Sequence, residues 1–242
     1  MSGIHIGTSG WHYKHWKGLF YPVGMPQQEY LAHYLKYYQT VEINNSFYRL
    51  PTYETFANWR QAVPDNFVFA VKASRYITHM KKLKDPQASL ANFLQNVTAL
   101  EEKLGPILFQ LPPRWHCDLE RFRQFLQALP SGLLYTFEFR DQTWYNEPVY
   151  DLLRQYNAAF CIYDLEQHLS PIIATANFVY IRLHGPVGKY NGSYSDEALM
   201  GWAEAARTWH AEGKAVYIYF DNDIGGHAVT DSQRLIALLN PS

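Results

Sequence analysis

The chain has 242 residues, with 21 Lys and Arg against 22 Asp and Glu, for a formal net charge of −1. Hydrophobic residues make up 48% of it, enough for a substantial core. The charge balance disfavours a strongly basic nucleic-acid-binding domain, and no apolar run is long enough to cross a membrane, so we expect no membrane partner.

Eight segments rich in β-branched and aromatic residues predict strands. In chain order they are Ile4–Gly7, Thr40–Asn44, Phe67–Lys72, Ile107–Leu111, Leu134–Arg140, Ala158–Asp164, Phe178–His184 and Ala215–Asp221.

Segments with helical patterns lie between most of these strands. One begins at Asp85 and Pro86 and is predicted to end at Gly105, and another runs from Ser195 to Gly213. The remaining predicted helices are Gln27–Tyr38, Thr52–Ala62, Leu119–Ala128, Glu147–Tyr156 and Ser232–Leu239.

Strand and helix alternate eight times, which predicts parallel pairing with right-handed crossovers. An open doubly wound sheet is the alternative, but eight units in a chain of this length favour a closed (β/α)8 barrel of the TIM type. We therefore predict an α/β fold with a single domain over residues 1–242. In such barrels the chemistry takes place at the carboxyl ends of the strands and in the loops that follow.

Ionisable residues alternate with apolar ones along several predicted strands, so they share the inward face. Buried charge is costly unless it is paired or used, and ion pairs alone are a poor source of stability, so the pattern favours a functional site over an internal ion network. We predict that Glu42, Glu138, His184 and Asp221 are catalytic, through acid–base chemistry or proton transfer. Three cations, which suit phosphate or carboxylate, are predicted to bind the substrate: Lys72, Arg140 and Arg182.

Other polar and aromatic residues extend the predicted binding site. The segment Gly7–Gly10 leaves the first strand and resembles a small anion cradle. Aromatic side chains in loops after strands could wall a pocket and stack a base or a sugar ring, or they could anchor the loops. The further substrate-binding candidates are Thr8, Ser9, Trp11, Asn44, Tyr48, Gln110, Trp144 and Tyr219.

Evidence for a cofactor is thin, because the chain has neither an HxH nor an HExxH motif. A divalent metal held by side chains from different strands stays open, with Glu42, Glu138, His184 and Asp221 as its ligand candidates. The two cysteines, Cys117 and Cys161, form no CxxC pair, and no secretory signal opens the chain. We therefore expect a cytoplasmic protein. Its oligomeric state stays unknown.

At these residues the chain resembles the YecE-like family, a family built on a domain of unknown function, and the match runs over nearly the whole chain. The motifs that carry it are Gly7-Thr8-Ser9-Gly10-Trp11 with Tyr13 and Trp16, Phe20-Tyr21-Pro22, Glu42-Ile43-Asn44-Asn45-Ser46-Phe47-Tyr48, Phe69-Ala70-Val71-Lys72-Ala73, Ile77-Thr78-His79, Gln110-Leu111-Pro112-Pro113, Glu138-Phe139-Arg140 with Trp144, Arg182-Leu183-His184-Gly185, and Tyr219-Phe220-Asp221-Asn222-Asp223.

The resemblance implies a TIM-type barrel with a pocket at the carboxyl ends of its strands, and it supplies no established reaction. The family looks loosely similar in fold to endonuclease IV and to xylose-isomerase-like barrels. Our first hypothesis is an enzyme, of hydrolase type, that acts on a small anionic substrate bearing phosphate or sugar. The alternatives are a nucleic-acid-binding or repair-associated barrel distantly like endonuclease IV, and a small-molecule-binding protein without turnover.

Overall fold

Strands and helices alternate along residues 3–240, which are the residues that the computed structural model describes. The strands are β1 (Ile4–Thr8), β2 (Thr40–Ile43), β3 (Val68–Lys72), β4 (Leu104–Leu111), β5 (Tyr135–Phe139), β6 (Ala159–Leu165), β7 (His168–Leu169), β8 (Phe178–Leu183) and β9 (Ala215–Phe220). The α-helices are α1 (Tyr30–Tyr34), α2 (Tyr53–Gln61), α3 (Pro86–Val97), α4 (Leu119–Ala128), α5 (Glu147–Gln155), α6 (Asp196–Ala211) and α7 (His227–Leu239).

All eight predicted strands are confirmed, with ends that differ by up to three residues. They are parallel strands that alternate with helices, which is the arrangement of a TIM-type (β/α)8 barrel. One further strand, β7, was not predicted; it has two residues and pairs antiparallel with β6. It lies between the predicted strands Ala158–Asp164 and Phe178–His184, where no helix was predicted.

The contacts within the chain group its residues into two compact units. Unit 1 comprises 3–42, 162–172 and 177–240, and unit 2 comprises 43–161 and 173–176. A single domain over the whole chain therefore stays a prediction.

The sheet of unit 1 places β9 between β1 and β8. Ile218 is in register with Ile6 of β1 on one side and with Ile181 of β8 on the other. At Gly7 an added Cβ would lie 2.4 Å from the backbone oxygen of Thr40, so only glycine lets β1 approach β2 this closely.

In unit 2, β4 lies between β3 and β5. Lys72 of β3 is in register with Leu108, and Gln110 is in register with Glu138 of β5. The adjacent core is aromatic, since the rings of Phe109 and Phe137 stack with centroids 5.3 Å apart.

The prediction that the third helix ends at Gly105 is wrong. Helix α3 ends at Val97, a 3-10 segment follows, and β4 already begins at Leu104. Gly105 is a strand residue whose missing side chain makes room for Val68, because an added Cβ would lie 2.4 Å from its Cγ1.

Two other helix boundaries differ from the prediction. The last helix, α7, begins at His227 and not at Ser232, after Gly226 in a left-handed conformation. The predicted helix Gln27–Tyr38 is a 3-10 turn followed by the five residues of α1. Within residues 3–240, no helix combines the length and the apolar character that a membrane crossing requires.

Candidate functional site

The residues predicted to form the site fall into two sets, one in each unit. Unit 1 holds Thr8, Ser9, Trp11, Glu42, Arg182, His184, Tyr219 and Asp221, and unit 2 holds Asn44, Tyr48, Lys72, Gln110, Glu138, Arg140 and Trp144. Each set is described by itself.

Arg182 lies at the centre of the set in unit 1, at the end of β8. Its Nη2 and Nε donate to the two carboxylate oxygens of Glu42 at 2.7 and 2.9 Å, and Nη2 also donates to Oδ2 of Asp221 at 2.8 Å. Arg182 and Glu42 are fully buried. Tyr180 donates a further bond of 2.6 Å to Glu42, and the hydroxyl of Ser9 donates another. The guanidinium thus faces protein carboxylates, and its predicted role in substrate binding stays a prediction.

The hydrogen bond from Arg182 defines the tautomer of His184. Nη1 of Arg182 lies 3.2 Å from Nε2 of His184, and a guanidinium nitrogen can only donate, so Nε2 accepts. The proton of the neutral ring therefore sits on Nδ1, which lies 2.9 Å from Oδ2 of Asp221. Both ring nitrogens face protein partners, and proton transfer by His184 stays a prediction.

The loop after β1 does not form the predicted anion cradle. The backbone N–H of Thr8 donates to the hydroxyl of Tyr34, that of Ser9 to Phe220 O, and that of Gly10 to Glu42 O. These amides are used inside the protein and do not converge on an oxyanion. The side chains of Thr8 and Ser9 stay binding candidates.

Two other predicted binding residues of unit 1 are buried. Tyr219 is fully buried, and its hydroxyl forms a 2.7 Å hydrogen bond with that of Thr40. Trp11 is 3% exposed, and its backbone oxygen accepts from the hydroxyl of Tyr21. Neither ring presents an open face for stacking, so their contact with a ligand stays a prediction.

The structure adds Asp223 to the chemistry of unit 1. The pKa of Asp223 is raised to about 6, mainly by burial and also by the negative charge of Asp221. His15 lowers this pKa and so acts in the opposite direction. His15 Nε2 lies 3.2 Å from the Asp223 carboxylate, and Trp16 Nε1 donates to the backbone oxygen of Asp223 at 3.0 Å. Burial also raises the pKa of Tyr13 well above its usual value. Asp223 is therefore a carboxyl group that titrates near neutral pH.

In unit 2, three predicted residues lie at the carboxyl ends of three neighbouring strands. Lys72 ends β3, Gln110 lies near the end of β4, and Glu138 is its partner in register on β5. Arg140 follows β5, and its Nε pairs with the fully buried carboxylate of Glu138. The thiol of Cys161 lies 3.8 Å from the same carboxylate. The register of β4 and β5 thus places Gln110 beside Glu138, and the role of these side chains in a site stays a prediction.

The pKa of His79 reflects the charges of the predicted site residues in unit 2. It lies in a π-helical turn, Tyr76–Met80, a form that is frequent at functional sites. Burial, and after it the charges of Lys72, Arg75 and Arg140, lowers the pKa of His79 to about 4, with only Glu138 acting in the opposite direction. We call Lys72, Arg75 and Arg140 the cationic cluster.

The predicted aromatic and amide residues of unit 2 differ in exposure. Trp144 is fully buried, and its Nε1 donates to Trp115 O at 2.6 Å, so this ring anchors a loop. Tyr48 is 74% exposed. The buried side-chain oxygen of Asn44 has no hydrogen-bond partner among residues 3–240. Tyr48 therefore keeps a ring that a ligand can contact, and the contact of Asn44 with a ligand stays a prediction.

No three His, Cys, Asp or Glu side chains within the described part of the chain are arranged to hold a metal ion. Of the predicted ligands, Glu42 and Asp221 bond to Arg182, and Glu138 pairs with Arg140. A divalent metal stays a prediction.

Sequence reasoning missed Asp223, Arg75 and His79 as site residues. Asp223 stands two positions beyond Asp221, so the same period-two rule applied past the end of the strand would have found it. Arg75 and His79 lie in and beside an irregular turn, for which hydrophobic periodicity has no signal.

Comparison with known proteins places this geometry in a family. The model of the family described as protein of unknown function DUF72 matches residues 5–242. The UPF0759 protein YunF of Bacillus subtilis is 24% identical over 98% of this chain and 95% of its own length. The UPF0759 protein YecE of Escherichia coli K12 is 30% identical over 57% of this chain and 48% of its own length.

Solved structures agree over the full chain. A DUF72 family protein from Thermotoga maritima superposes with a TM-score of 0.88 at 27% identity, covering 98% of this chain and 99% of that one. A DUF72 family protein from Enterococcus faecalis has a TM-score of 0.85 at 20% identity, covering 99% and 96%. The chain is a member of the DUF72 family.

Proposed function

We propose that this protein is an enzyme of hydrolase type, and that it binds a small phosphate-bearing anion at the cationic cluster of unit 2. The observation that carries the proposal is the placement of these cations: Lys72 ends β3, Arg140 follows β5, and both of them, with Arg75, add to the larger effect of burial in lowering the pKa of His79. A positive potential of this kind attracts an anion.

The chemistry of the cluster favours phosphate among anions. Arg140 and Arg75 supply planar guanidinium groups that match two phosphate oxygens at once, and Lys72 adds a compact charge. Glu138 pairs with Arg140 from a buried position, so we assign it the role of orienting that guanidinium. The cluster follows β3 and β5, and in TIM-type barrels ligands bind at these carboxyl ends.

Hydrolysis of a phosphate ester breaks the ester P–O bond by attack of water, and it yields an alcohol and inorganic phosphate. The water loses a proton and the leaving oxygen gains one. Such transfers need a carboxyl or imidazole group beside the phosphate. The sequence candidates Glu42, Glu138, His184 and Asp221 stay proposed acid–base residues, and Glu138 is the one that pairs with Arg140 of the cluster.

The setting that we propose is cytoplasmic. Both cysteines, Cys117 and Cys161, are free thiols, which suits a reducing compartment.

A thermal-shift screen of sugar phosphates and nucleotides tests the proposal, because a ligand that binds only the folded state raises its apparent stability. Wild type is compared with Arg75→Gln, which removes an exposed cation of the cluster, and with Arg123→Gln, which removes an exposed cation of α4 in the same unit. Ligands that stabilise wild type are then assayed for phosphate release by phosphorus NMR.

We expect at least one phosphate ester to raise the Tm of wild type and of Arg123→Gln, and to raise that of Arg75→Gln less. Binding without release would favour the binding protein over the enzyme. If no phosphate compound binds, the proposal is wrong.

A further inference from the structure

An exposed aromatic ring lies next to the cationic cluster. Tyr48 follows the 3-10 turn Asn45–Phe47 and is 74% exposed. Its ring contacts Phe47 edge-on with centroids 5.0 Å apart, and Nζ of Lys72 lies 4.4 Å from the centre of the same Phe47 ring. One aromatic ring therefore separates Tyr48 from an ammonium of the cluster.

The ring of Phe47 also contacts His79, with centroids 5.0 Å apart. The ring of Phe47 thus contacts Lys72, His79 and Tyr48. A ligand that spans this segment would meet charge and an aromatic face.

Tyr48 also lines an open groove of about 450 Å³ in unit 2. This size lies within the range of small-molecule sites. The aromatic rings of Tyr48 and Trp59 and the aliphatic ring of Pro51 are available for stacking. An amide and a guanidinium of the wall can form hydrogen bonds with the edge of a heterocycle. The wall of the groove includes Asn45, Tyr48, Arg49, Pro51, Thr55 and Trp59.

We propose that the phosphate-bearing substrate is a nucleoside monophosphate, whose phosphate binds the cationic cluster and whose base stacks on Tyr48 in this groove. The inference rests on the proposed function and names its substrate class. A sugar phosphate would use the cluster and present a smaller, non-aromatic face to the exposed ring than a base does. A nucleic-acid strand depends on many phosphate contacts, which the net charge of −1 does not favour.

Calorimetric titration at fixed ionic strength separates these ligands. The probes are the nucleoside 5′-monophosphates of the common bases, ribose 5-phosphate, which lacks a base, and a single-stranded oligonucleotide. The variants are Tyr48→Ala, Tyr48→Phe, which keeps the ring, and Tyr53→Ala, which removes an exposed tyrosine of α2 that does not line the groove.

We expect at least one monophosphate to bind wild type about tenfold or more tightly than ribose 5-phosphate. Tyr48→Ala should lower the affinity for that nucleotide to the level of ribose 5-phosphate and leave the latter unchanged. Tyr48→Phe and Tyr53→Ala should bind the nucleotide like wild type.

Three results would overturn the inference. If ribose 5-phosphate binds as tightly as every nucleotide, the anion site stands and the base site does not. If the oligonucleotide binds more tightly than any nucleotide, with an affinity that falls steeply with salt, the groove serves a strand. If neither nucleotides nor ribose 5-phosphate bind, the proposed function fails together with the inference.

Discussion

Arg182 and Glu42 form a fully buried pair, in which Nη2 and Nε of the guanidinium donate to the two carboxylate oxygens at 2.7 and 2.9 Å. Removing one partner of such a pair leaves an uncompensated charge in the interior. Ser9, Tyr180 and Asp221 complete the hydrogen bonds of the pair, so the loss would extend to them.

Arg182→Met, which keeps the stem and removes the charge, should therefore lower the free energy of unfolding by about 3–5 kcal/mol. Urea denaturation measures the change. The exposed Arg123→Met should change stability by less than about 0.5 kcal/mol. A loss below about 1 kcal/mol for Arg182→Met would show that the pair contributes little to the fold.

The raised pKa of Asp223 predicts that the free energy of unfolding depends on pH. Its pKa in the folded protein is about 6, above the ordinary value of 3.8, so the folded state binds the proton more tightly than the unfolded state. Above pH 6 the ionised carboxylate therefore lowers the free energy of unfolding. This loss of stability shrinks as the pH falls from 6 and is absent below about pH 4.

Asp223→Asn lacks this cost and should melt about 2 °C or more above wild type at pH 8. The difference should shrink through the interval from pH 6 to 4 and vanish below it. Calorimetric scans of both proteins over this range provide the measurement. A difference that is the same at pH 4 and pH 8 would contradict the cause given for the shift.

A side chain at position 105 is expected to clash with the packing around β4. Gly105→Ala should destabilise the protein by about 1–3 kcal/mol, because the added methyl group would press on Val68. Gly201 lies within α6 with open space where a Cβ would stand, so Gly201→Ala should stabilise by about 0.5–1 kcal/mol. Denaturant titration measures the free energy of unfolding of the two variants. Equal changes in Gly105→Ala and Gly201→Ala would contradict the close packing of β3 on β4.

Period-two alternation in the sequence found Glu42, Arg182 and Asp221, because a strand places every second side chain on one face. It also placed Lys72 and Glu138 near the carboxyl ends of β3 and β5, on either side of β4. It did not reveal that Arg182 is occupied by Glu42 and Asp221, since pairing between distant strands leaves no local signal.

Irregular segments limited the prediction further. Gly105 suggested a helix end because glycine stops helices, and tertiary packing against Val68 gave it a different role. His79 lies in a π-helical turn, and its significance comes from three cations that the fold gathers around it. The exposure of Tyr48 and the burial of Trp144 likewise depend on packing that composition does not specify.

The most direct test of the account is the pKa of His79, followed by NMR in the presence and absence of sulfate at constant ionic strength. Sulfate keeps its charge over the titration, and an anion held by Lys72, Arg75 and Arg140 favours the protonated imidazole. The account predicts a pKa of about 4 without sulfate and a higher value with it, and a smaller rise in Arg75→Gln than in Arg123→Gln. A pKa that does not move with sulfate would contradict an anion site at the cationic cluster.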